Sequence, residues 1–224
     1  MRMHRKCHLD ERLSACGDIV TVADLSDKNM KRASSVKEFL PLAEIFGNSG
    51  PVELEIGCGK GKFVCEKAAA NPLVNFVACE KISNVIIEAL ERTKAEGLKN
   101  IYYLNCAAEV LEKYLPAGSV SRIYLNFSNP LPKEGYKRQR LTHPRFLEIY
   151  KRLLMPGGEI IQKTDSEEFF DFSLKCFAEE NFSIVSVCRD LAESPVDGDV
   201  ETEHERRFKS EGKKIFRAVL RTPV

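Results

Sequence analysis

The stretch Val52-Glu53-Leu54-Glu55-Ile56-Gly57-Cys58-Gly59-Lys60-Gly61 decides the fold of this chain. An apolar-rich run ends in a carboxylate and passes into three glycines at alternate positions, which reads as a buried strand feeding a tight turn. Glycines there let the backbone take positive φ and let a ligand approach the main chain. Lys62 to Ala70 has helical character, so strand, glycine turn and helix follow in order. That is the opening of a nucleotide-type α/β domain. The dinucleotide fingerprint Gly-x-Gly-x-x-Gly requires a third glycine where Lys62 stands. Glu55 also brings a negative charge to the turn, where a pyrophosphate is unwelcome. A ligand carrying an ammonium and a sulfonium suits such a strand end, and S-adenosylmethionine carries both. A plain glycine turn after a buried strand leaves the same local pattern, so the other segments must decide.

From Pro51 onward strands and helices alternate, which argues for a parallel sheet with crossover helices. Further strands are expected over Asn75 to Glu80, Ile101 to Cys106, Val120 to Phe127, Glu159 to Thr164, Phe182 to Val187 and Ile215 to Leu220. Ser83 is placed to cap the helix that Gly97 stops, and Pro144 to open another. Met155-Pro156-Gly157-Gly158 is expected to end that helix, and Asp165 with Glu168 to form a capping box for the next. The expected architecture is α/β: a Rossmann-like, seven-stranded, mostly parallel sheet with one antiparallel strand from a terminal hairpin. Residues 1–46 read as an N-terminal extension with a basic leader (Arg2, Arg5, Lys6, then Lys28, Lys31, Arg32 and Lys37), packing on the domain or on RNA. Residues 47–224 read as the main domain.

The totals exclude more than they identify. With 224 residues, 43% hydrophobic and 30% charged, the chain can bury one large core. A net charge of +1 selects no partner, so only local clusters can argue for nucleic acid. The eight cysteines form no Cys-x-x-Cys pair and no Cys/His ligand spacing, which points to a reducing compartment and no structural metal. No apolar run approaches about 18 residues, so neither export nor a membrane span is expected, and the chain reads as cytoplasmic. Its oligomeric state is left between monomer and homodimer.

Several residues could carry chemistry. Glu80 follows Gly57 at the spacing where a strand-end acid binds ribose hydroxyls, or it caps the next turn. Cys106 to Ala108 would lie near an adenine. Asn129, in Asn126-Phe127-Ser128-Asn129-Pro130-Leu131-Pro132, would project toward the reacting centre, or simply turn the chain before proline. The run from Lys133 to Arg145, with Tyr136, Lys137, Arg138 and Arg140, carries a local net charge of +4 in a near-neutral protein. That is a phosphate-backbone surface in outline, although a solvated charge run has the same composition. Asp190 to Glu205 holds seven acidic residues and no Lys or Arg, and Asp165 or Glu205 could accept from a guanine edge.

Together these pieces resemble the bacterial tRNA (guanine-N7-)-methyltransferase family, along the chain from the basic leader to the C-terminus. The family's glycine turn is similar to Glu55–Gly61 and its ribose-side acid to Glu80. Its loop F-S-D-P-W-P-K and following R-L-T resemble Phe127 to Lys133 and Arg140-Leu141-Thr142. Its K-T-D matches Lys163-Thr164-Asp165, and its T-E-x-E-x-x-F matches Thr202 to Phe208. The resemblance implies a class I S-adenosylmethionine-dependent methyltransferase acting on a variable-loop guanosine of tRNA. It implies cofactor binding by Glu55, Gly57, Gly59, Glu80, Ala107 and Asn129, with Asn129 also at the catalytic position. It implies RNA contacts by Lys133, Tyr136, Lys137, Arg138, Arg140, Asp165, Thr202 and Glu205. Four departures stand out: Asn129 replaces the family's aspartate, Leu131 its tryptophan, Ala107 a frequent acid, and Gly135-Tyr136 part of its basic cluster. Two rival readings follow from the same residues. One is an amino-methyltransferase with an Asn-Pro-Pro-aromatic loop, although the fourth residue here is Pro132. The other is a catalytically impaired RNA-binding relative.

Overall fold

The computed structural model describes residues 4–23, 36–191, 193 and 200–222. In chain order the elements are α1 (Leu9–Ser14), β1 (Val20–Val22), α2 (Leu42–Phe46), β2 (Val52–Ile56), α3 (Lys62–Ala70), β3 (Asn75–Cys79), α4 (Ser83–Ala95) and β4 (Ile101–Asn105). A 3-10 turn (Ala108–Val110) leads to α5 (Leu111–Tyr114) and β5 (Val120–Asn126), and a second 3-10 turn (Glu134–Gln139) precedes α6 (Pro144–Leu153). Then come β6 (Leu154–Thr164), α7 (Glu167–Glu179), β7 (Ser183–Cys188), α8 (Glu203–Ser210) and β8 (Phe216–Arg221).

The strands form one sheet in the order β1-β4-β3-β2-β5-β6-β8-β7, parallel except that β8 runs antiparallel to both neighbours. The reversed strand comes from the terminal hairpin, as expected. The sheet has eight strands, however, not seven. Val20–Val22 adds at the edge beside β4, with Val20 opposite Tyr103. Three residues are too few to display a period of two, so this strand left no pattern to read.

Alternate residues of the buried strands pack to opposite faces, as pleating requires. Val77 and Cys79 of β3 join a core with Leu111, Phe146, Tyr150 and Phe177 from α5, α6 and α7. Phe76 and Ala78 join a second core with Val64, Ile86 and Leu90 from α3 and α4. Helices therefore cover both faces of a parallel sheet, and strands β2, β3 and β4 are buried throughout. No described helix is long and apolar enough to cross a membrane.

Two caps differ from expectation by one residue. Ser166, not Asp165, caps α7 by accepting from the Phe169 N–H at 3.3 Å. Ser83 does not cap α4; its hydroxyl donates to Asn105 at 2.7 Å, and Ile82 occupies the cap position. Pro156-Gly157-Gly158 lies within β6 as an irregularity opposite Val120/Arg122, because α6 ends already at Leu153. Of the basic leader, Lys6 pairs with Glu88, Arg5 with Asp10, and Lys37 donates to the Glu112 carbonyl. Arg2, Lys28, Lys31 and Arg32 lie outside the described residues, as do Asp197 and Asp199 of the acidic segment.

Gly57, Gly59 and Gly61 all have positive φ, at 81°, 57° and 76°. They answer different needs. A Cβ at Gly57 or Gly59 would meet nothing within 4 Å, whereas one at Gly61 would stand 2.6 Å from Ala89 Cβ. Gly61 is what lets α3 approach α4. Gly61→Ala is therefore expected to cost at least about 2 kcal/mol, from overpacking plus the left-handed backbone. Urea denaturation measures it; a loss below about 0.5 kcal/mol would show that the helices separate freely.

Candidate active site

The carboxyl ends of β2, β3, β4 and β5 open into two adjoining cavities. The first, about 670 Å³, is lined by Cys79 and Glu80 from the end of β3, Cys106 and Ala108 after β4, and Ser128 and Asn129 after β5. The second, about 370 Å³, is lined by Glu55, Gly59, Lys60, Thr202, His204 and Arg207 among others. Gly57, Asn126 and Phe127 belong to both walls and mark the junction. This is where open α/β sheets bind ligands.

Two glutamates of β2 show what the floor of this cleft can do. Glu53 is satisfied: Tyr124 Oη donates to one of its oxygens at 2.7 Å and Arg122 to the other at 3.0 Å. Glu55, two residues on, is 3% exposed and has a single partner. Asn126 Nδ2 donates to its Oε1 at 3.0 Å, while its Oε2 is buried with no hydrogen bond. Asn126 Oδ1 and Ser128 Oγ, also in the cavity walls, are likewise buried without a partner. Burial pushes the Glu55 carboxyl up from 4.5 to about 7, with the nearby Glu80 charge adding and the Asn126 hydrogen bond opposing. A buried carboxylate with an empty oxygen costs free energy that a bound cation would return. Burial likewise pushes the Cys58 thiol well up, so it is a wall and not a nucleophile.

The other expected cofactor residues sit around this floor. Glu80 Oε1 accepts from the Ile82 N–H at 2.9 Å beside the first cavity. Ala107 immediately precedes the 3-10 turn after β4, flanked in the wall by Cys106 and Ala108. Asn129 is exposed in the first cavity, and its Oδ1 accepts from the Leu131 N–H at 3.1 Å, so its side chain closes its own turn. Leu131 takes φ 44° there, a conformation that turn bond helps to hold.

The expected RNA residues separate into surface and interior. Lys133, Tyr136 and Arg138 are exposed along the second 3-10 turn, and Lys137 is half-buried, pairing with Glu134 at 2.6 Å. Arg140 departs from this surface: it is 1% exposed. Its guanidinium donates to the Leu131 carbonyl at 3.2 Å, pairs with Glu168 at 3.4 Å and lies 4.5 Å from the Phe172 ring centre. It staples the loop after β5 to α7, because a planar fork can bond and stack at once. Asp165 is half-buried at the end of β6. Thr202 caps α8 by accepting from the Glu205 N–H at 3.0 Å, and it lines the second cavity. Glu205, only 1% exposed, is held by Lys163 at 2.9 Å and Lys209 at 3.0 Å. Its carboxylate anchors α8 to β6 and has both oxygens engaged.

A family model described as "Putative methyltransferase" matches residues 49–218. A tRNA (guanine-N(7)-)-methyltransferase of Geobacillus sp. (strain WCH70) is 41% identical over 180 residues, which is 80% of this chain and 82% of that protein. The enzyme of the same name from Alkaliphilus oremlandii (strain OhILAs) is 42% identical over 79% of this chain and 83% of its own. The chain belongs to the tRNA (guanine-N7-)-methyltransferase family. Solved structures extend the likeness in fold alone. The 16S rRNA methyltransferase KamB superposes with a TM-score of 0.59 at 18% identity, over 90% of this chain and 96% of that one. An antibiotic-related methyltransferase superposes with a TM-score of 0.61 at 17% identity, over 81% and 92%.

Two side chains that shape this tRNA (guanine-N7-)-methyltransferase family cleft carry no signal of their role in the sequence, Asn126 in its wall and Lys163 buried behind it. Asn126 was a strand residue, and only the parallel pairing of β2 with β5 brings its amide to Glu55. Lys163 was one letter of a motif, and its burial against Glu205 shows only when α8 is in place.

Proposed function

We propose that the protein transfers the methyl group of S-adenosylmethionine to N7 of a guanine in tRNA, a variable-loop guanosine, leaving 7-methylguanosine. The observation that carries the cofactor is the half-empty Glu55 carboxylate on the cleft floor, beside two glycines whose Cα atoms face open space. The residues fit the cofactor's ammonium end: Glu55 would hold it, Gly57 and Gly59 would let the main chain approach, and Glu80 would take the ribose hydroxyls. When bound, S-adenosylmethionine supplies an electrophilic methyl on a sulfonium. The choice of a tRNA guanine rests on the relatives, which cover about four-fifths of the chain.

Guanine N7 carries a lone pair and no hydrogen, so the chain needs no base at that atom. What it must supply is position, and positioning is a large term in such transfers. Asn129 keeps the loop's shape through its bond to Leu131 but offers no charge to the cationic product. Arg140 holds the same loop from behind. Lys133, Tyr136, Lys137 and Arg138 would meet the RNA backbone, and Asp165 and Thr202 the guanine region, with Glu205 setting α8. We assign residues 47–224 to the catalytic domain and 1–46 to an extension on it; a tRNA substrate supports a cytoplasmic enzyme, which we take as a monomer or homodimer.

Labelled methyl transfer to unmodified tRNA, followed by nucleoside analysis, tests the reading. The expected product is 7-methylguanosine, and any other methylated nucleoside sinks it. In single turnover, Asn129→Asp is expected to be faster, by about tenfold, because a carboxylate stabilises the developing charge. A natural chain that is inert while the variant is active would refute the prediction that Asn129 supports transfer.

A further inference from the structure

The loop after β5 leaves the sheet through a conformation that side-chain-bearing residues rarely adopt. Phe127 has φ 49°, and its N–H donates to the Lys163 carbonyl at 2.8 Å. The turn sets its half-buried ring against α8. There it stacks with His204 at a centroid distance of 5.8 Å and an interplanar angle of 20°, with Phe208 5.6 Å away. Lys163 fixes both rings, since its ammonium grips Glu205 on the same helix as His204. His204 is exposed and lines the second cavity, while Phe127 lines both. The cations Lys60, Lys62 and Arg207 line the cavity that His204 faces. The other aromatic of that cavity, Phe63, is buried edge-on against Tyr124 at 4.9 Å.

We propose that Phe127 and His204 form the platform on which the target guanine stacks, with N7 presented at the junction of the cavities. This rests on the tRNA-guanine reading above and adds the residues that would seat the base. A flipped-out base offers a flat π face and needs a rigid flat partner, and the flanking phosphates need cations beside it. The base also becomes positively charged as the N7–CH₃ bond forms and the S–CH₃ bond breaks. A cation over a π face is stabilised more than a neutral ring, so the platform acts most strongly late in the transfer. A purely structural His204 would pack α8 and leave the substrate parameters alone.

His204→Ala and His204→Phe separate these roles. His204→Ala is expected to lower kcat/KM for tRNA about 5- to 100-fold while S-adenosylmethionine affinity stays within about twofold. His204→Phe should keep most of the activity, because it restores the flat face. The chain has no tryptophan, so His204→Trp introduces a sole indole. Its emission should be quenched by tRNA, and more weakly by guanosine monophosphate. Wild-type activity in His204→Ala, equal loss in His204→Phe, or a parallel fall in cofactor affinity would each overturn the platform. Failure of the wild type itself to make 7-methylguanosine would instead overturn the tRNA-guanine reading.

Discussion

Glu55→Gln is expected to weaken S-adenosylmethionine binding at pH 8 by about 2–5 kcal/mol, roughly 30-fold or more in Kd, with methyl transfer falling in step. The amide keeps the shape and the Asn126 contact but brings no charge to the buried oxygen that now lacks a partner. Calorimetric titration of the cofactor measures it, and a variant that binds within about threefold of wild type would remove Glu55 from the site. The same carboxyl predicts a pH dependence. Its folded value lies near 7 because burial opposes the charge, while a cationic ligand needs the charged form. Affinity in the wild type should therefore be level above about pH 7 and fall about tenfold per pH unit below it, and Glu55→Gln should abolish that slope. Stability of the free protein should run the other way. The folded chain holds a proton that the unfolded chain releases, so the contribution is full below pH 4.5 and is lost as pH rises to about 7. The total is about 3 kcal/mol, and bound cofactor should cancel it.

Lys163→Met is expected to produce the largest loss of stability, about 3–5 kcal/mol, because it leaves Glu205 charged and buried with Lys209 as its one remaining ion partner among the described residues. Lys163 also donates to the Val200 carbonyl at 3.2 Å, so its loss frees the entry to α8 as well as the helix. On a chain of this size the expected fall in Tm is on the order of 10 °C. Lys163→Met combined with Glu205→Leu should recover much of that fall, since an apolar pair replaces the ions. The prediction fails if the single variant loses less than about 1 kcal/mol in denaturant titration. Activity gives a second reading: the 163 carbonyl that accepts from Phe127 survives the substitution, but the tie from Lys163 Nζ to the Val200 carbonyl at the entry to α8 does not, so the double variant should stay impaired in tRNA methylation after stability returns.

What could be read along the chain was what local chemistry dictates. Alternating apolar runs and glycines announce a strand, a turn and a helix within ten residues, and strand-end carboxylates announce a cation. For this reason the α/β alternation, the reversed terminal strand and the acidic floor at Glu55 were legible, while the three-residue strand at Val20 was not. Caps slipped by one residue at Ser166 because neighbouring Asp and Ser compete for the same N–H groups on equal local terms.

Packing across the sheet separates residues that look alike along the chain. Glu53 and Glu55 share a strand, a face and a composition. The neighbouring strand sets Arg122 and Tyr124 against the first and a single amide against the second, so of the two only Glu55 keeps an oxygen without a hydrogen bond. Arg140 reads like Arg138 in a basic run, yet one lies inside against Leu131 and Phe172 and the other faces solvent. His204 and Phe127 are 77 residues apart in the sequence and stack only because Lys163 draws α8 onto β6. Fold class and the charge expected of the ligand were legible along the chain, because they follow from short-range periodicity and residue type. Which side chains meet in the proposed site depends on strand register and helix docking, which are long-range and leave no mark on the residues beside them.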